Sequence, residues 1–144
     1  MTAWEEVEIK LMERGAAAAV LAVFAWINHV LSDTRYRLSL PSQTPCRRSQ
    51  EEQVSLYAQG RTAPGPIVTW VDGVKKKSRH QLGLAVDCVL RDREQGRAIW
   101  FDKATPEERE LFLMVVEQFK KHGWIWGGDW RGKRRDPEHF ERNR

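Results

Sequence analysis

A chain of 144 residues, 41% of them apolar with seven Trp and five Phe, can bury one hydrophobic core and is short for two. It is expected to form a single domain over 1–144, and its composition excludes a chain left disordered for want of apolar surface. Twenty-four Lys and Arg against twenty Asp and Glu give +4, which favours anionic partners without choosing among nucleic acid, cell-wall polymer and lipid headgroups. Cys46 and Cys88 are too few for a disulfide scaffold and form no CxxC pair, so both read as reduced thiols.

In chain order, Met1 to Arg14 carries four Glu against Lys10 and Arg14, the wrong sign for the start of a secretory signal. The apolar run Ala16 to Leu31 contains Asn28 and His29 and falls short of the roughly 20 residues that cross a bilayer. No stable membrane insertion is expected, and synthesis is expected to leave the protein in the cytoplasm. Val20, Val23, Phe24, Ile27 and Leu31 recur at helical spacing, which makes this run a core helix. Tyr36 to Leu40 alternates like a half-buried strand and stops at Pro41. Ser49 and Glu52 form a capping box for a short helix through Val54, Leu56 and Tyr57 to Gly60.

Arg61 to Pro66 is a loop, Ile67 to Val71 is extended, Asp72-Gly73 turns the chain, and Lys75 to Arg79 is a basic loop of the kind that edges clefts. Gly83 to Leu90 reads as a strand, Arg91 to Arg97 as a polar turn and Ala98 to Phe101 as a returning strand, together a hairpin. Thr105 caps the strongest helix, with Pro106 at its first position, Glu108 completing a capping box, and Leu111, Phe112, Val115, Val116 and Phe119 as its buried face. It ends at His122-Gly123, and His139 to Glu141 forms a short final strand. The order fits an α+β fold, a small antiparallel sheet packed with helices.

Of the four histidines, His80 and His139 sit among other potential ligands. In Ser78-Arg79-His80-Gln81-Leu82-Gly83-Leu84-Ala85-Val86-Asp87, the strand period puts Gly83, Ala85 and Asp87 on one face. The small residues there leave space, so an ion held by Asp87 and His80 stays open to a substrate. His139, in Asp136-Pro137-Glu138-His139, is the candidate third ligand. Two His and one Asp leave Zn²⁺ a net positive charge and a free fourth position for a water, whose pKa such a site lowers to about 7. A nearby carboxylate must take that water's proton, and Asp136 is three residues from the proposed ligand, held off helical geometry by Pro137. Asp129, Glu138 and Glu141 are rival bases on composition alone. His29 reads as a packing or capping residue, His122 as a partner of its helix dipole, and Cys88 as a small core residue. Cys46 stays open between an inert thiol, a reactive one and a stray metal contact.

Ser-x-His-x-x-Gly-x-Ala-x-Asp at Ser78 to Asp87, followed some fifty residues later by Asp-x-x-His at Asp136 to His139, resembles the zinc peptidases that cleave bacterial cell-wall peptides, the D-alanyl-D-alanine carboxypeptidase and VanY-like superfamily. Asp rather than Glu in the final motif is similar to its L-alanyl-D-glutamate endopeptidase branch, which includes bacteriophage endolysins. Leu56 to Thr62, Pro64-Gly65 and Trp126 to Trp130 share that likeness, which runs from about Arg35 to Glu141. The resemblance implies that His80, Asp87 and His139 bind zinc and that Asp136 is the general base or acid. It also implies an Arg that steadies the substrate carbonyl and the oxyanion. Aligned through Ser49 and Gln53 this is Arg48, with Arg47 a second candidate because Cys46 and Arg47 replace the family's Gly and Tyr. Ser78, Trp126, Asp129 and Trp130 are further candidates for contacting substrate; loop capping suits Ser78 equally, and core filling suits the two Trp equally.

The implied function is an endolysin-type zinc metallopeptidase hydrolysing the L-Ala–D-Glu bond of peptidoglycan stem peptides. It is expected as a monomer that waits in the cytoplasm and reaches the wall once the membrane is permeabilised. The rivals are a D-Ala-D-Ala carboxypeptidase or dipeptidase on the same fold, and a non-catalytic wall-binding module. Nucleic-acid binding rests only on the charge and the cationic tail, without a recognisable motif, and no nucleic-acid partner is expected.

Overall fold

The structure, a computed structural model, describes residues 1–41 and 43–143. No apolar period marks the first segment, yet Ala3–Lys10 forms a helix, α1, because Thr2 and Glu5 cap it reciprocally and Glu5 and Ile9 are buried beneath it. The expected core helix is α2 (Arg14–Val30), which buries Ala16, Ala17, Val20, Val23, Phe24 and Ile27. Among the described residues no helix is long and apolar enough to cross a membrane.

Strand β1 (Tyr36–Ser39) precedes α3 (Gln50–Ala58), whose Ser49–Glu52 capping box has both halves formed. The buried residue of α3 is Gln53, while Val54 is exposed, so this helix turns a polar side chain inward. The segment expected as extended, 67–71, pairs with no strand and forms a wall of coil.

The expected strand over Gly83 to Leu90 is broken. Strand β2 (Ala85–Asp87) and strand β3 (Val89–Asp92) belong to different sheets, because Cys88 between them donates its N–H to Glu138 O. β3 continues into the anticipated hairpin with β4 (Ala98–Ile99) and pairs with β1 on its other edge. Helix α4 (Pro106–Lys121) starts at Thr105 with a complete capping box and ends at His122, as its sequence signals require.

β5 (Ile125–Trp126) and β6 (His139–Glu141) complete an antiparallel sheet of order β2-β6-β5. The fold is α+β, with its strands in two three-stranded antiparallel sheets packed by helices. The core joins α2, α4 and both sheets; Phe140 of β6 stacks on Phe119 of α4 with ring centroids 4.2 Å apart. Burying such a ring contributes about 2–3 kcal/mol, so the last strand is anchored from behind while His139 faces the other way. Its register sets Asp87 directly opposite His139.

Candidate metal centre

His80 sits in the turn before β2, and its backbone is fixed on both sides. The Ser78 hydroxyl accepts its N–H at 3.1 Å, and its carbonyl accepts the N–H groups of Arg48 and Gly83. Gly83 closes that turn at φ +71° with its backbone against Glu13 N, a place where a Cβ has no room. The His80 ring is buried, and its Nδ1–H donates to Cys46 O at 2.7 Å, which leaves the Nε2 lone pair pointing inward. The His139 ring is oriented in the same way by Glu141, whose carboxylate lies 2.9 Å from Nε2 and leaves Nδ1 inward. Such outer partners fix the tautomer of a ligating imidazole.

Three atoms therefore converge. His80 Nε2 and His139 Nδ1 are 3.2 Å apart, and each lies 3.3 Å from Asp87 Oδ1. A tetrahedral zinc ion with ligands at about 2.0–2.1 Å separates those ligands by about 3.3–3.4 Å. The donor set fits a metal ion: two aligned imidazole lone pairs and one carboxylate oxygen at the spacing such an ion imposes. In Cys46, by contrast, the thiol is buried and its pKa is pushed well up by burial and by nearby Glu8 and Asp87; only its carbonyl serves the site. Cys88 is likewise a buried core residue.

The electrostatics follow from this packing. Burial opposes charge on His139, but hydrogen bonds to Asp87 and Glu141 and the charges of Asp87 and Asp136 outweigh it, and the metal-free imidazole is held up at about 9. Burial lowers His80 despite Asp87 beside it. Asp87 is itself held far below the usual carboxylate range, because the two imidazoles outweigh the burial that opposes its charge. Asp136 is exposed to the cleft, yet the protein atoms around its carboxyl and the charge of Asp87 push it up to about 6. A carboxyl with that pKa can both take and give a proton near neutral pH.

A cleft of about 580 Å³ opens over the triangle, lined by His80, His139 and Asp136 together with Arg48, Trp70 and Trp130. Arg48 donates to Asp87 Oδ2 from Nη2 at 3.2 Å, to Gln53 Oε1 from Nη1 at 3.2 Å, and to Thr44 O from Nε at 3.2 Å. Arg47 is exposed and does not line this cleft. Ser78 lines it with a hydroxyl already engaged by His80, and the Trp130 ring lies 5.2 Å from that of His139. Trp126 and Asp129 lie outside the lining. Trp126 is buried with its Nε1–H on Pro137 O at 2.6 Å, and Asp129 pairs with Lys120 at 2.7 Å. Of the rival bases, Glu141 orients His139, and Glu138 is half-buried beside Asp136 with its pKa pushed up to about 7 by burial and that neighbour.

Sequence reasoning missed two supports. Gln53 is completely buried and spans the site: it accepts from Arg48 and donates to Thr69 Oγ1 at 3.1 Å and to Val71 O at 2.9 Å, tying the arginine to the cleft wall. Its position one turn inside a capped helix and its use beside Ser49 in aligning Arg48 are the hints the sequence holds. Gly127 abuts the carbonyl of Asp136, where any Cβ collides, and its own carbonyl accepts the Asp136 N–H at 3.0 Å. Trp126-Gly127 thus clamps the turn that presents Asp136 and His139.

Residues 72–142 match the family described as D-alanyl-D-alanine carboxypeptidase. That segment, just under half of the chain, is similar to this family. The four candidate residues of this chain, His80, Asp87, Asp136 and His139, all fall inside the matched span. Over 97 residues the chain is 41% identical to the peptidoglycan L-alanyl-D-glutamate endopeptidase CwlK of Bacillus subtilis (strain 168), an alignment that takes in 65% of this chain and 55% of CwlK. The chain thus spans about half the length of that curated relative. The crystal structure of Serratia marcescens L-Ala D-Glu endopeptidase ChiX has the same fold, with a TM-score of 0.60 over 98% of this chain and 87% of that one, at 20% identity.

Proposed function

We propose that the chain is a zinc-dependent peptidoglycan peptidase that hydrolyses the L-Ala–D-Glu bond of stem peptides. The observation that carries this reading is the triangle of His80, Asp87 and His139 beside a carboxyl raised towards neutrality. Identity to CwlK supports the choice of bond. A zinc ion in that triangle supplies polarisation of the peptide carbonyl and acidification of the attacking water. Asp136 takes the water's proton and returns it to the leaving amine. Arg48, held against Asp87 by Gln53 and Thr44 O, donates to the developing oxyanion, a role commonly worth 10²–10³ in rate. Glu141 and Cys46 O keep both imidazoles in the tautomer this requires.

The family's description favours a second reading, removal of a terminal D-Ala by the same machinery. Mass spectrometry of products from purified muropeptides, with zinc and after chelation, separates the two. The endopeptidase reading expects zinc-dependent release of L-Ala-linked fragments; loss of D-Ala alone contradicts it. We further propose an endolysin-type, bacteriolytic role, with the protein made in the cytoplasm and acting on the wall after the membrane is permeabilised. Turbidity loss of permeabilised but not intact cells tests this.

A further inference from the structure

A second hollow, of about 460 Å³, adjoins the cleft through Arg48 and Lys77, which line both. Arg47, Ser49, Gln50 and Gln81 complete the part of its wall that matters here. Arg47 and Lys77 are exposed, and among the described residues neither has a carboxylate within ion-pair distance. Arg48 uses three N–H groups on Asp87, Gln53 and Thr44, so two of the five in a guanidinium remain. Glu52, an acid in the adjoining first turn of α3, is committed to the N–H of Ser49 at 2.9 Å.

Lys77 is carried on an ordered loop. Asp72 Oδ1 accepts the N–H groups of Val74, Lys75 and Lys76 at 3.0, 3.0 and 3.2 Å. Gln81 ties the same loop down by accepting the Ser78 N–H and donating to Gly73 O. Cations without carboxylate partners, lining a concavity, make an anion site, and the ordered loop lowers the cost of presenting Lys77 to it.

The substrate class makes this asymmetry informative. In a stem peptide D-Glu is linked onward through its γ-carboxyl, so its α-carboxylate is free, and the residues after it bring further carboxylates. On the other side of the scissile bond L-Ala joins an uncharged lactyl group. All of the substrate's local negative charge therefore lies on the leaving side. We infer that the hollow beside Arg48 is the subsite for the carboxylates that follow the scissile bond, with Arg47 and Lys77 as the cations that recognise them. This rests on the endopeptidase reading and fixes the direction in which the peptide crosses the cleft.

Two synthetic peptides test it, both containing the L-Ala–D-Glu bond, one with free carboxylates beyond that bond and one with carboxamides. The zinc-loaded parent is expected to cleave the acid about tenfold more efficiently than the amide, through KM, as loss of charge-assisted hydrogen bonds implies. In the double variant Arg47→Ala, Lys77→Ala that ratio falls towards one, and Arg47→Lys alone keeps most of it. A purely structural effect lowers both rates together and leaves the ratio intact. A double variant that keeps the parent's preference overturns the inference while the endopeptidase reading stands. A parent that cleaves neither peptide, or cuts at another bond by mass, overturns that reading and the inference with it.

Discussion

Two buried clusters of opposite charge sit in this molecule, and only one has the makings of a catalytic centre. Glu5 of α1 lies beneath β1 and accepts from Arg37 Nη1 at 2.8 and 3.2 Å, Ser39 Oγ at 2.6 Å, Leu40 N at 3.0 Å and Thr2 N at 2.7 Å. Every close contact there contains a proton, so the cluster is closed. Around Asp87 the outer imidazole nitrogens face Cys46 O and Glu141, so once His139 gives up its inner proton two lone pairs meet at the centre. Burial and charge are common to both; the direction of the protons separates a brace from a site that needs a cation.

The comparison is broken most severely by His139→Ala. Zinc stoichiometry is expected to fall from one to near zero, and lysis of purified walls to background. Asp136→Asn should keep one zinc per chain and lose about 10²–10⁴ in rate; a variant that lyses walls at the parent rate removes Asp136 from its assigned role. Glu5→Gln should do the reverse, costing about 3 kcal/mol in denaturant unfolding because Arg37 loses its buried partner, with zinc stoichiometry unchanged under native conditions.

The pH dependence sharpens the same contrast with opposite signs. Burial opposes charge on Glu5, but its hydrogen bonds hold it down at about 2 against an ordinary 4.5. Its stabilisation is complete above pH 4.5 and disappears as pH falls towards 2, so the parent should lose more stability than Glu5→Gln between pH 5 and 2.5. His139, raised to about 9 without metal, must release a proton when an ion binds. Zinc affinity, read by competition with a chromogenic chelator, should therefore rise about tenfold per pH unit from 6 to 8. The smallest effect expected is that of Gln53→Leu, which leaves zinc bound and lowers kcat/KM severalfold to tenfold by freeing Arg48 and stranding Val71 O.

Much of this was legible in the chain because it is locally encoded. Ser49–Glu52 and Thr105–Glu108 announce their helices, and the likeness of Ser78–Asp87 and Asp136–His139 to a family's paired motifs points to the residues that converge. The rest depends on partners distant in sequence. α1 has no apolar stripe and is held by Glu5 reaching β1, 34 and 35 residues on. The break at Cys88 exists because Glu138 O takes its N–H. Gln53 and Gly127 are unremarkable in sequence and acquire their roles only from what packs against them, as do Trp126, which braces Pro137 O, and Asp129, which pairs with Lys120.

Anomalous diffraction at the zinc edge from crystals of the zinc-loaded protein addresses the central claim most directly. One peak is expected, about 2.0–2.2 Å from His80 Nε2, Asp87 Oδ1 and His139 Nδ1 alike. A fully occupied peak elsewhere, or none after loading at neutral pH, contradicts the account.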